Sequence, residues 1–77
     1  ANRVWKPAQA YVSPGSYSLE IFDRWGQLVF ETKNENKAWD GRMNGEFAPS
    51  GVYTYQLRYR SIEGEVVERR GTLNLLY

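Results

Sequence analysis

The sequence contains neither cysteine nor histidine. Without cysteine there can be no disulfide scaffold, no thiolate metal site and no cysteine nucleophile. Without histidine the commonest general base and the commonest metal ligand are both missing, which leaves only carboxylate chemistry or oxygen-ligand metals to an enzyme reading. An excess of one charge is missing too. Ten Lys and Arg face nine Asp and Glu, a formal net charge of +1, so there is no net field to hold nucleic acid or an anionic membrane. No apolar run approaches the roughly 20 residues needed to span a bilayer, and the first residues lack the charged, apolar and small-residue order of a signal peptide. These absences set the first expectations: no enzyme, no cofactor, no metal, no nucleic-acid partner, no small-molecule substrate, and a chain that is not itself membrane-spanning.

What is present is aromatic. Three Trp, six Tyr and three Phe make up 16% of the 77 residues; such side chains bury large areas and suit strands better than helices. A chain this short buries only about 60% of its unfolded surface and cannot divide that between two cores, so residues 1–77 are expected to form a single domain. The opening Ala1-Asn2-Arg3-Val4 reads as a fragment cropped from a longer protein.

The segment Ser18-Leu19-Glu20-Ile21-Phe22-Asp23 and the run Leu28-Val29-Phe30-Glu31-Thr32 predict two short strands joined by a tight turn, closed at Gly26 where positive φ costs least. Lys33 to Lys37 is polar and aperiodic, an exposed loop. Turn signals then crowd together at Trp39-Asp40-Gly41, Asn44-Gly45 and Ala48-Pro49-Ser50-Gly51. From Val52 to Arg60 strict alternation places Tyr53, Tyr55, Leu57 and Tyr59 on one face and Thr54, Gln56, Arg58 and Arg60 on the other, a long half-buried strand. Ser61-Ile62-Glu63-Gly64 is a hairpin connection, and Val66 to Leu76 runs back with Gly71 predicted to form a bulge. Val4 to Tyr11 reads as a short edge strand. Short strands, frequent turns and no helical period point to an all-β fold, a small immunoglobulin-like antiparallel β-sandwich.

Three ordered blocks carry a family resemblance. Ile21-Phe22-Asp23-Arg24-Trp25-Gly26-Gln27-Leu28-Val29-Phe30-Glu31 is similar to an "I-F-N-R-W-G-x-x-V-F-E" block. Trp39-Asp40-Gly41, Gly45 and Ala48-Pro49-Ser50-Gly51-Val52-Tyr53-Thr54-Tyr55 follow "W-D-G … G … A-P-S-G-V-Y-x-Y". Arg70-Gly71-Thr72-Leu73-Asn74-Leu75-Leu76 follows "K/R-G-x-V-T-L-I". Together they resemble the gliding-motility-associated C-terminal domain, the type B sorting domain of the type IX secretion system of Bacteroidota. The match covers Tyr17 to Tyr77, and more loosely Asn2 to Pro7. The family's upstream "N-A-F-T-P-N-G-D-G" stretch does not occur, so the first strand is either cropped or supplied from elsewhere, and one sheet edge is expected to be open.

The resemblance implies a non-catalytic C-terminal export label that directs a large surface protein or adhesin across the outer membrane, through the periplasm, to the cell surface or the medium. It implies recognition by type IX secretion components, an outer-membrane barrel of the PorP/SprF kind or a shuttle protein. The rivals are a carbohydrate-binding or adhesin module and a structural spacer.

Residue by residue, Trp25 has two readings: a ring folded back over the sheet as a core plug, which is the preferred one, or a recognition knob together with Arg24, since Trp and Arg dominate interface hot spots. Trp39-Asp40-Gly41 reads as an aromatic anchor and an Asx turn; with Asp23 and Asp40 the only aspartates, calcium ligation is disfavoured. Gly26, Trp39, Asp40, Gly41, Pro49, Gly51, Tyr53 and Gly71 form the structural set. Tyr53, Tyr55 and Tyr59 are read as core rather than as a sugar platform. Glu31 with Asp40, or Glu63 with Glu65, are the carboxylate pairs a glycosidase would need, but a domain this small rarely builds the cleft. Arg58, Arg60, Arg69 and Arg70 are expected to neighbour one another as a basic stripe, partly balanced by Glu63, Glu65 and Glu68 and suited to an acidic partner surface. The candidate partner-binding set is Arg24, Trp25, Arg58, Arg60, Arg70, Thr72, Asn74, Leu76 and Tyr77, with the final strand available for strand addition.

Overall fold

A computed structural model of the chain describes residues 12–43 and 45–75. The predicted Val4 to Tyr11 strand, Asn2 to Pro7, Asn44, Leu76 and Tyr77 lie outside the described residues. Within them there is no helix, and the chain runs β1 (Ser18–Phe22), β2 (Leu28–Thr32), β3 (Arg42–Met43), β4 (Glu46–Phe47), β5 (Gly51–Arg60) and β6 (Val66–Leu75). Four strands form one antiparallel sheet in the order β2-β1-β5-β6, and β3 and β4 pair as a separate antiparallel ribbon. The fold is all-β and sandwich-like, as the alternation predicts.

The central strand is β5, whose period of two sorts its side chains cleanly. Tyr53, Leu57 and Tyr59 are buried and Tyr55 is half-buried, whereas Thr54, Arg58 and Arg60 are exposed. β1 sets Leu19 opposite Leu57 and Ile21 opposite Tyr55. On the other side β6 sets Leu73 opposite Tyr53. The inner face of the sheet is covered by the turn-rich middle of the chain rather than by a second broad sheet: Tyr17, Trp39 and Ala48 are buried in the same core, with Val12, Phe30 and Met43 packed against it. The β3–β4 ribbon is absent from the sequence reading, where Asn44-Gly45 stands only as a turn.

The bulge predicted at Gly71 does not form. The β5–β6 ladder runs without a shift from Gly51 opposite Leu75 to Arg60 opposite Val66, so the odd-numbered residues of β6 share one face of the sheet, buried at Leu73 and Leu75 and exposed at Arg69. Gly71 serves another purpose. It stands opposite Tyr55, and a Cβ there would lie 2.6 Å from Tyr55 Cε2 and 2.8 Å from its Oη. The glycine is a seat for a tyrosine ring. The irregularity of the sheet falls instead between β1 and β2, where Ile21 pairs with Phe30 but Phe22 pairs with Leu28, leaving Val29 as the extra residue.

Candidate docking surface

The tryptophan and tyrosine motifs of the middle segment lock to each other. Trp39 is fully buried; its ring meets Tyr53 edge-on at 5.2 Å and Phe30 at 6.4 Å, separations at which aromatic pairs add to area burial. Its Nε1–H donates to the Arg42 carbonyl at 3.1 Å. Asp40 Oδ1 accepts the Arg42 N–H at 3.0 Å, an Asx turn, and the Gly41 carbonyl accepts the Ala48 N–H at 2.7 Å. Tyr53 Oη donates to the Pro49 carbonyl at 2.6 Å, the tyrosine-corner arrangement of β-sandwiches. Gly51 begins β5 with φ +153°. Trp39-Asp40-Gly41 and Ala48 to Tyr53 are thus two halves of one clasp.

The β1–β2 turn is built differently. Asp23 Oδ1 accepts the N–H groups of Trp25 at 2.8 Å and Gln27 at 2.9 Å. The Asp23 N–H donates to the Gln27 carbonyl at 2.9 Å and the Gly26 N–H to the Asp23 carbonyl at 3.0 Å. Gly26 has φ +81°, a conformation that glycine reaches without steric cost. This turn throws the Trp25 ring outward. The core-plug reading is overturned, because Trp25 is 75% exposed and the space over the inner face is filled by Trp39, Met43 and Ala48. The Arg24 guanidinium lies 5.0 Å from the centre of the Trp25 ring, within cation–π range. Between this turn and the Pro49–Gly51 turn runs an open groove of about 500 Å³, lined in part by Met43, Pro49, Val52 and Tyr53. Asp23, the organiser of the turn, and Val52, which is 53% exposed, were missed in the sequence. An aspartate three residues before a glycine is the signal that points to the first; nothing local marks the second.

The four arginines do not make the single stripe expected of them. Arg58 stands opposite Glu68 and Arg60 opposite Val66, while Arg70 is opposite Gln56 and Arg69 opposite Leu57. Alternation therefore puts Arg69 on the other face from the remaining three, and Arg58 Nε lies 3.5 Å from Glu68 Oε1. That pair is exposed and worth well under about 1 kcal/mol.

The hydrogen-bond phase of β6 follows from its neighbours. Arg60 donates its N–H to Ser16 Oγ at 3.0 Å, and its carbonyl accepts the Ser13 N–H at 2.7 Å, so its backbone groups face away from β6. One residue on, Ser61 donates to the Glu65 carbonyl at 2.8 Å. In an antiparallel ladder these states alternate, so the odd residues of β6 bond to β5. The even ones, Val66, Glu68, Arg70, Thr72 and Asn74, turn their N–H and C=O groups outward. Among the described residues β6 pairs only with β5. The result is a ten-residue edge strand with no bulge.

One buried polar group stands apart from this surface. The Tyr17 hydroxyl is buried with no hydrogen-bond partner among the described residues, and burial, with a smaller push from the Glu35 carboxylate, holds it above the ordinary tyrosine value of 10.0. The native state therefore keeps a proton that the unfolded chain releases near pH 10, and linkage makes stability fall as pH rises above that value. Tyr17→Phe is expected to move the midpoint of alkaline unfolding to higher pH, read by far-UV circular dichroism; an unchanged midpoint would refute the assignment.

Taken together, the described residues define a small all-β, sandwich-like module in which β6 pairs on one side only, with β5. More narrowly, the chain belongs to the CHU_C type IX secretion signal domain family, whose model matches residues 1–75. No curated protein and no solved structure matches it significantly. A type IX secretion signal domain is a sorting signal, non-catalytic in kind, that commits the protein carrying it to the secretion machinery and so to the cell surface or the medium.

Proposed function

We propose that this domain is a folded export label, read by strand addition along β6 as its parent surface protein passes through the periplasm, and that the reader is a barrel or shuttle component of the type IX machinery. The observation that carries this reading is the outward phase of Val66, Glu68, Arg70, Thr72 and Asn74 on an edge ten residues long. A long edge is an aggregation hazard that proteins normally cover or shorten, and among the described residues nothing pairs with the outer side of this one, which supports a role in binding. An added strand would gain main-chain hydrogen bonds for affinity and meet Arg70, Thr72 and Asn74 on the outer face for specificity. The carbohydrate-binding rival has less to stand on: Trp39, Tyr53 and Tyr59 are buried, which leaves no tyrosine platform on β5.

The test is a proline at an outward position. Thr72→Pro removes an N–H that bonds to no described residue, a change that edge strands tolerate, whereas Leu73→Pro removes one bonded to Tyr53 and is expected to unfold the domain. In a reporter fused to the full chain, Thr72→Pro is expected to melt near the wild-type temperature, yet deliver at least about tenfold less reporter to the surface, since it costs ladder bonds of ~1 kcal/mol each. A folded Thr72→Pro delivered at the normal level would end this reading.

A further inference from the structure

The geometry points to Arg24 and Trp25 as a preformed anchor that enters an apolar pocket, rimmed by carboxylates, on a protein partner. Nothing among the described residues requires a tryptophan at this position. The turn is held by the Asp23 carboxylate, by backbone amides and by the positive φ of Gly26, so none of these bonds uses the Trp25 side chain, and any residue with a backbone N–H would leave them intact. Yet the largest side chain of all is placed there and left 75% exposed. An indole held in water at the tip of a turn whose backbone is fixed by four hydrogen bonds has little ordering entropy to lose on docking. This is the condition under which exposed aromatics become binding anchors.

The chemistry of the pocket follows from what surrounds the ring. Arg24 lies over the indole, and among the described residues no carboxylate pairs with it. Docking would remove both groups from water together, so the partner must supply apolar walls for the ring and an acid for the guanidinium, whose planar fork suits a carboxylate. The apolar surface also continues beyond the turn: Val52 is 53% exposed, and Met43 and Pro49 line the groove beside it. Arg24 covers one face of the indole, which leaves only the other to a stacking sugar.

Position ties this anchor to the β6 edge. Phe22, at the end of β1, stands opposite Thr54, which stands opposite Thr72. The turn that follows Phe22 is therefore at the same end of the sheet as Thr72 and Asn74, two strand spacings or about 10 Å across it. A reader that adds a strand to this end of β6 would meet the anchor in the same encounter. That the partner is this reader rests on the strand-addition reading; the anchor itself does not.

The experiment compares Trp25→Ala, Arg24→Glu and Arg24→Lys with Thr72→Pro, each in the full chain fused to a reporter. Trp25→Ala is expected to leave the melting temperature within about 3 °C of wild type, as for an exposed substitution. Surface delivery should fall about 30-fold, the scale of a hot-spot residue. Arg24→Glu should fall comparably, and Arg24→Lys should keep most of the delivery. Normal delivery of Trp25→Ala overturns the anchor, whatever Thr72→Pro does; failure of Trp25→Ala with normal delivery of Thr72→Pro keeps the anchor and removes the edge. Binding of the wild-type domain to a glycan array, abolished by Trp25→Ala, would also overturn the proposal by making the indole a sugar platform.

Discussion

Trp39→Ala is expected to destabilise the domain by about 3–5 kcal/mol, the usual cost of deleting a buried tryptophan, and to leave it largely unfolded at physiological temperature. The size of the effect comes from the number of roles the ring fills. It is fully buried, it meets both Tyr53 and Phe30, and its Nε1–H satisfies the Arg42 carbonyl. Removing it opens a cavity between the sheet and the segment that covers it, and it leaves the Arg42 carbonyl without that donor, which adds about 1 kcal/mol if the group stays dry. A 77-residue domain has of the order of 4–12 kcal/mol in total, so one substitution removes a large part of it. Trp39→Phe keeps a ring against Tyr53 and loses only the hydrogen bond and part of the volume; it should cost about 1–2 kcal/mol. Urea titrations followed by circular dichroism separate the two. A Trp39→Ala midpoint indistinguishable from that of Trp39→Phe would mean that the ring is not the keystone of the clasp. Trp25→Ala serves as the contrast, since the same residue type at an exposed turn should leave the midpoint almost unmoved.

That contrast marks where sequence reasoning stops. Trp25 and Trp39 look alike in the sequence: each lies beside one charged residue and close to a glycine, in a stretch of turn residues. What separates them is which way the local hydrogen bonds aim the chain. Asp23 precedes Trp25 and gathers the amides of the turn around itself, so the ring points outward. Asp40 follows Trp39 and turns the chain after it, so the ring stays under the sheet. The long strands were legible for the opposite reason. Over ten residues a period of two leaves no ambiguity about which side of β5 is buried, and the turn clusters at Asp23–Gln27 and Ser61–Gly64 fix where its neighbours begin. The β3–β4 ribbon was invisible because strands of two residues carry no period. The edge phase of β6 was likewise beyond reach, since it depends on Ser13 and Ser16 capturing the backbone of Arg60, a contact 44 residues apart in the chain for Ser16.

Gly71 is the instructive middle case, because its role follows from the register rather than from its neighbours in sequence. Counting back through the Ser61–Gly64 turn sets it opposite Tyr55, and the ring then lies where a side chain would be. Glycine weakens a strand interior, and an aromatic ring laid over it from the facing strand restores the lost packing. The two residues should therefore be coupled. Gly71→Ala alone is expected to destabilise by about 1–2 kcal/mol, since the added Cβ displaces the Tyr55 ring from its seat. In a Tyr55→Ala background the same substitution should become neutral or stabilising by up to about 1 kcal/mol, because alanine then improves the strand with nothing in its way. The double-mutant cycle measured by thermal or urea unfolding should give a coupling of about 1–2 kcal/mol, well above the few tenths found between independent sites. Additive effects would show that Gly71 is retained for its backbone and not for the ring above it. Because Arg70 and Thr72 flank this glycine on the edge proposed above for strand addition, a displaced Tyr55 ring would also disturb that edge at its centre. Gly71→Ala should consequently lower surface delivery more than its loss of stability alone accounts for, and Tyr55→Ala/Gly71→Ala should recover part of it.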